Sequence, residues 1–270
     1  MADAPDTFVS PWADPDPAPA AEAAPTLHAA KPSRTQELLW GLLSTLLLAG
    51  WIGLWAGWLG ALALVGGVFV HEFGHLMVIN WAGAGPSRIR IIPFFGGAAT
   101  MTRAPDSEFK GVLIALAGPA FGLIAALPFF VAAALTGQRW WIAGAFYVGA
   151  LNLINLAPAA PLDGANALGP ALARIHPLLE RGALLAIALA GLAWALQRGS
   201  VMFALVIAFG VARAFLSGSL RPASRPLTWL EWVASIGLYL LVVAACAAVT
   251  FAAVQTGAIN LRSFGFGGLR

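Results

Sequence analysis

Two histidines and a glutamate form the most informative short pattern in this sequence, His71-Glu72-Phe73-Gly74-His75. Residues four apart on a helix lie on one face, one turn apart, so His71 and His75 can direct two imidazoles at a single metal ion. Glu72 lies one step around the helix and can reach a water on that metal without being a ligand. A buried polar cluster is the alternative, which we disfavour because ionisable residues in apolar segments are costly and usually functional. The pattern therefore predicts a zinc site on a helix.

A third ligand is expected elsewhere in the chain, because a catalytic zinc normally has three protein ligands and one open position. Asp163 is the one acid between Arg139 and Arg174. It follows Pro158 and Pro161, which interrupt a helix and leave backbone groups unpaired. Such backbone is tolerated at membrane depth only where protein or water covers it, which favours a buried site. An aspartate that caps the next helix is the alternative, and it does not exclude ligation.

The composition indicates the environment in which this site must form. Of the 270 residues, 60% are hydrophobic and only 10% are charged, whereas a soluble domain has about 25% charged residues. Most of the surface is therefore expected to face a lipid bilayer. The net charge is only +3, with basic residues spread between apolar runs, so no nucleic acid partner is expected. The single cysteine, Cys246, excludes an internal disulfide and a cysteine-based zinc site.

Long uncharged runs predict an all-α polytopic membrane protein with six or seven transmembrane helices. The run 38–70 is too long for one span of about 20 residues, so we divide it at Trp55–Leu59. Arg198-Gly199 interrupts another long run and predicts two short spans or a hairpin there. The expected spans lie near residues 37–55, 59–82, 111–138, 140–162, 182–216 (interrupted) and 232–252.

A different pattern separates the second and third predicted spans. Arg88–Ile92 alternates polar and apolar residues and meets Pro93, and Gly96-Gly97 comes shortly before the segment 98–102. Alternation with period two followed by glycines predicts a short, membrane-associated β-hairpin with a glycine turn.

The distribution of basic residues predicts the orientation in the membrane. With seven spans, eleven Lys and Arg residues fall on one side and four on the other, and the richer side is expected in the cytoplasm. This places the N-terminus and the end of the helix with His71 and His75 toward the cytoplasm. We expect residues 1–36 to be a disordered Ala/Pro-rich tail, 37–255 a transmembrane metalloprotease domain and 256–270 a short C-terminal tail.

The two motifs together resemble the site-2 protease family of intramembrane zinc metalloproteases, over roughly residues 59–170. Some 80 residues separate the helix-borne motif from the second one. The segments that carry the resemblance are His71-Glu72-Phe73-Gly74-His75, Asn155-x-x-Pro158-x-x-Pro161-Leu162-Asp163-Gly164, the Gly96-Gly97 hairpin and Ala117-Gly118-Pro119. Two positions depart from the family pattern: Gly122 stands where an asparagine is frequent, and Ala165 where a second glycine is frequent.

The resemblance implies a cofactor, a reaction and a set of roles. One Zn2+ per chain would be held by His71, His75 and Asp163, with Glu72 as the catalytic acid/base. The expected partner is a transmembrane protein substrate, cut in or near its membrane segment in the cell membrane. The substrate-contacting residues that the resemblance implies are Asn155, Gly96 and Gly97.

Two other classes of function compete with this interpretation. A catalytically silent relative that binds membrane segments would be marked by loss of Glu72 or of a ligand, and all four residues are present. A metal transporter usually carries polar groups along a path across the bilayer. Here the acids and histidines of the apolar runs converge on one site, which favours the protease.

Overall fold

The computed structural model describes residues 34–92, 96–197, 199, 201–216 and 224–256. These residues form eight α-helices and two β-strands, with short 3-10 turns at Leu123–Ala126 and Arg139–Trp141. In chain order the elements are α1 Arg34–Trp81, β1 Arg88–Ile92, β2 Gly96–Thr100, α2 Glu108–Gly122, α3 Leu127–Thr136, α4 Ile142–Asn155, α5 Asp163–Ile175, α6 Pro177–Gln197, α7 Val201–Leu216 and α8 Trp229–Gln255.

Four stretches of the described chain are long and apolar enough to cross a membrane, which identifies a membrane protein. They are Leu39–Trp81, Glu108–Thr136, Pro177–Gln197 and Trp229–Gln255. The expected count of six or seven spans stays a prediction. The predicted tails fall almost entirely on residues 1–33 and 257–270, outside the described residues, and α1 begins at Arg34, just inside the range assigned to the first tail.

Helix α1 consists of two arms that meet at a kink. Its 48 residues would extend over about 72 Å if straight, more than twice the roughly 30 Å of a bilayer core. Gly57 leaves the helical conformation with φ 70° and ψ 175°, which glycine adopts without the steric cost of a Cβ. The predicted division between Trp55 and Leu59 is therefore confirmed, and we call residues 58–81 the C-terminal arm.

The predicted span 140–162 is interrupted before its end. Helix α4 stops at Asn155, because Pro158 and Pro161 cannot continue the hydrogen-bond ladder. Residues 156–162, here called the broken segment, lead to α5, which begins at Asp163. With 14 residues, α4 is about 21 Å long, shorter than a bilayer core.

Helices α6 and α7 form a hairpin that covers the broken segment. The predicted interruption at Arg198-Gly199 is confirmed, since α6 ends at Gln197 and Gly199 has φ 68°. A Cβ at Gly210 of α7 would overlap Pro161 and the Ala160 carbonyl. The close approach allows Ala159 to be buried with residues of α6 and α7 in a small apolar cluster.

The two strands are antiparallel neighbours that lie against α1. Their register pairs Ile91 with Gly97 and Ile92 with Gly96. The two glycines are thus the first residues of β2 and are paired with β1, so the expectation that they form the turn is wrong; residues 93–95 lie outside the described chain. Association of the strands with the membrane stays a prediction.

Candidate metal centre

Three side chains from distant parts of the chain meet inside the helix bundle. His71 Nε2 lies 3.1 Å from His75 Nε2 and 3.0 Å from Asp163 Oδ2, and His75 Nε2 lies 3.3 Å from the same oxygen. Ligand atoms about 2.0–2.1 Å from a tetrahedral zinc are about 3.3 Å apart. The three atoms therefore already lie at distances suited to the ligands of one metal ion, and this group is the candidate metal centre.

Glycines let α1, which carries the two histidines, approach α2 closely. A Cβ at Gly74 of α1 would overlap the Ala117 carbonyl and Phe121 of α2, so the two helices approach closely at this turn. A Cβ at Gly118 would overlap Nε2 of both His71 and His75. The α2 backbone thus forms one wall of the candidate metal centre, with no side chain in between.

The hydrogen bonds of the two imidazoles determine which nitrogen is available to a metal. His75 Nδ1 lies 2.7 Å from the Ile114 carbonyl, which can only accept, so Nδ1 carries the proton. His71 Nδ1 lies 2.9 Å from Asn152 Oδ1, and the Asn152 amide nitrogen donates to the Val148 carbonyl at 2.8 Å. Since the Asn152 oxygen also accepts, Nε2 of each histidine directs a lone pair toward the centre.

The carboxylate of Asp163 supports the same conclusion. Its Oδ2 atom is buried and receives no hydrogen bond within the described chain, and a buried polar atom without a partner is costly. An ion pair with one protonated imidazole would still leave the lone pair of the second imidazole facing the carboxylate. A bound cation would satisfy all three atoms at once. Two imidazoles and one carboxylate are also a donor set of catalytic zinc sites.

The other predicted site residues lie on the neighbouring elements. Glu72 follows His71 on α1 and is partly buried. Asn155 is the last residue of α4, partly buried, and its amide nitrogen donates to the Leu151 carbonyl at 3.2 Å. Gly96 and Gly97 begin β2 beside α1. The catalytic and substrate-binding roles of these four residues stay predictions.

One residue of the centre was missed by the sequence interpretation. Asn152 is fully buried and contacts His71, whereas the motif directed attention to Asn155. A buried amide in an apolar helix needs a partner, and this is the signal that could have identified it. Gly122, where an asparagine is frequent in the resembled family, leaves the space that the Asn152 amide occupies.

Comparison with known proteins agrees with this geometry. Residues 59–140 match peptidase family M50, a range that contains His71, Glu72 and His75 and ends before Asp163. The chain is 30% identical over 198 residues to "Putative zinc metalloprotease Rip3" of Mycobacterium tuberculosis, which covers 68% of this chain and 44% of that protein. It is also 30% identical over 139 residues to "Putative zinc metalloprotease sll0528" of Synechocystis, covering 48% and 35%.

The chain spans less than half the length of these relatives. The match covers the helix-borne motif, and the fold adds Asp163 from a segment beyond the matched residues. Over residues 59–140 this chain is therefore similar to peptidase family M50, the site-2 protease family, and the convergence of the three side chains agrees with that similarity.

Proposed function

We propose that this protein is an intramembrane zinc metalloprotease that hydrolyses peptide bonds in or near transmembrane segments of other membrane proteins. The observation that carries the proposal is the convergence of two imidazole nitrogens and one carboxylate oxygen inside an apolar helix bundle. The names of the relatives, which describe zinc metalloproteases, support it.

Each residue of the centre has a distinct role in this proposal. His71, His75 and Asp163 would hold one Zn2+. Bound zinc would lower the pKa of a water to about 7 and polarise the scissile carbonyl. Glu72 would accept the proton of the attacking water and later donate it to the leaving amine. Asn155 would donate a hydrogen bond to the substrate and help to stabilise the developing negative charge.

The depth of the centre supports cleavage within the membrane. Trp58 stacks edge-on with Trp140 and Trp141 at one end of the C-terminal arm, and Trp81 is exposed at the other end. Tryptophans are enriched at both membrane interfaces, so these residues would lie at the two surfaces of the bilayer. At about 1.5 Å per residue, His71 would lie about 20 Å from Trp58 and about 15 Å from Trp81, near the middle of a bilayer.

A transmembrane substrate must unwind before it can be cut, because a helix keeps its carbonyls in internal hydrogen bonds. The β1–β2 pair would accept the unwound segment as an additional strand and satisfy its backbone. Gly96 and Gly97 would let that segment approach β2 closely, since neither carries a side chain. The excess of basic residues on one side indicates that the Trp81 end of the arm faces the cytoplasm.

Replacing the proposed acid/base tests the function directly. Glu72→Gln keeps the shape of the side chain but cannot accept the proton, so we expect a loss of peptide-bond cleavage of at least about 100-fold with zinc content unchanged. Comparative membrane proteomics of cells that carry this variant should show a single-span membrane protein accumulating uncut.

Asp106→Asn is the matched control, because it also exchanges a carboxylate for an amide but lies exposed two residues before α2, where it pairs with Lys110 and is remote in sequence from the motif. It should behave like the wild type. Full cleavage activity of Glu72→Gln would show that the proposed role of this residue is wrong.

A further inference from the structure

Asn152 is a fully buried amide on α4, and within the described residues its side chain makes polar contacts with His71 and with its own helix. Its Oδ1 atom lies 2.9 Å from His71 Nδ1, and its Nδ2 atom donates to the Val148 carbonyl at 2.8 Å. The second bond fixes the rotation of the amide. The oxygen therefore faces the imidazole and accepts its proton.

The space for this amide is provided by α2. A Cβ at Gly122 would overlap Oδ1, Nδ2 and Cγ of Asn152. Any side chain larger than hydrogen at position 122 would have to displace the amide from His71. Gly122 and Asn152 are therefore in direct contact: the absence of a side chain at Gly122 leaves the space that the Asn152 amide occupies.

The two histidines of the centre differ in how they are held. His75 is oriented by the main-chain carbonyl of Ile114, which no substitution of a side chain removes. His71 is oriented by the side chain of Asn152. Loss of that acceptor would let the His71 proton move to Nε2, the atom that faces His75 and Asp163, or let the ring rotate.

We propose that Asn152 is a positioning residue that holds His71 as the Nδ1–H tautomer, so that Nε2 is its metal ligand, and that Gly122 is required for this contact. The inference rests on the proposed function, because it presupposes that the centre binds zinc. It assigns to Asn152 an effect on metal affinity that acts only through His71.

Zinc affinity of the purified full-length protein in detergent, measured by competition with a chelating fluorophore, tests the inference. Asn152→Ala should weaken zinc binding about 10- to 100-fold, the usual effect of losing such an outer contact. Asn152→Asp should stay within a few-fold of the wild type, because a carboxylate also accepts the Nδ1 proton.

Asn155→Ala is the matched control for metal affinity. Asn155 lies on the same helix, and its amide likewise donates to the carbonyl four residues earlier, that of Leu151. The zinc affinity of the Asn155→Ala protein should equal that of the wild type. The visible spectrum of the Co2+-loaded protein gives a second measurement, which should change for Asn152→Ala and not for Asn155→Ala.

Gly122→Ala tests the contact from the other helix. It should weaken zinc binding as Asn152→Ala does, and the double variant should bind no more weakly than Asn152→Ala alone, because both changes remove the same contact. If Asn152→Ala does not fold, Asn152→Asp and Gly122→Ala decide: near-wild-type affinity in the first and weakened affinity in the second support the inference.

The outcomes separate the two proposals. Wild-type protein that binds no zinc would contradict the proposed function itself. Zinc binding by the wild type with equal affinity in Asn152→Ala, or in Gly122→Ala, would overturn the role of Asn152 and leave the proposed function in place. Equal weakening by Asn152→Asp and Asn152→Ala, both folded, would also overturn it.

Discussion

The two imidazoles of the candidate metal centre each use Nδ1 for a hydrogen bond within the protein, to Asn152 in one case and to the Ile114 carbonyl in the other. This leaves both Nε2 atoms beside the unpartnered Oδ2 of Asp163. The spacing of His71 and His75 in the sequence predicts that they share a helix face. The atoms that face the metal are determined by partners on α2 and α4.

A prediction at this scale concerns the glycine that faces the imidazoles. Gly118→Ala places a methyl group against Nε2 of both histidines, so we expect loss of zinc and of activity. We expect this loss even though alanine stabilises a helix by about 1 kcal/mol relative to glycine. Zinc content and unfolding of the purified protein measure the two effects separately.

Gly111→Ala on the same helix is the matched control. A Cβ there would meet only Pro105, at 3.8 Å, which is ordinary van der Waals contact. Its zinc content should equal that of the wild type, with a free energy of unfolding raised by up to about 1 kcal/mol. If Gly118→Ala retains wild-type zinc content, the described proximity of α2 to the imidazoles is wrong.

Among the elements, the broken segment acts on the centre directly, because it carries the chain from α4 to Asp163. Its irregular backbone leaves carbonyls that no helix satisfies. The Tyr239 hydroxyl of α8 donates to the Leu156 carbonyl at 2.7 Å, and Leu156 is itself buried in the largest apolar cluster. A Cβ at Gly164 would overlap this same carbonyl. Helix α8 thus holds the segment that positions Asp163.

Removal of this hydroxyl is the prediction at the scale of elements. Tyr239→Phe would leave the Leu156 carbonyl buried without its donor, which costs about 1–3 kcal/mol. We expect a lower free energy of unfolding and weaker zinc binding, measured by denaturant titration and chelator competition. Tyr147→Phe, whose ring keeps its edge-on contact with Trp55, should change zinc affinity much less. Unchanged stability and affinity in Tyr239→Phe would exclude the proposed support from α8.

At the scale of the whole molecule, a polar network joins the start of α2 to the segment before α8. Arg225 forms a two-point ion pair with Glu231, at 3.0 and 2.6 Å, and its main chain exchanges hydrogen bonds with Asp106 and Glu108. The hydrogen bonds that the Arg225 guanidinium donates to the Glu231 carboxylate raise the pKa of Arg225 above its usual value. The network lies at the N-terminal ends of α2 and α8, where a membrane surface is expected, and it links these two helix ends.

The orientation of the molecule in the membrane gives a prediction at the same scale. Gln138→Cys and Asp106→Cys place exposed thiols at the two ends of the Glu108–Thr136 stretch, and native Cys246 is fully buried and should not react. A membrane-impermeant maleimide should label Gln138→Cys in intact cells and Asp106→Cys only after permeabilisation. The reverse pattern would show that the Trp81 end of α1 faces outward.

The sequence alone determined the features that depend on neighbouring residues. Apolar runs identified membrane helices because lipid contact constrains composition over a window of residues. The breaks near Gly57 and at Gly199 were found because backbone conformation there depends on one residue type. The spacing of His71 and His75 required only helical geometry.

Only the tertiary structure decided which distant atoms meet. The rotation of α4 about its axis, which selects Asn152 and not Asn155 as the partner of His71, depends on packing against α1, α2 and α8. The short length of α4 and the path of the broken segment bring Asp163 to the histidines. Such contacts depend on how helices fit together through small residues such as Gly118 and Gly122, and no local pattern carries that information.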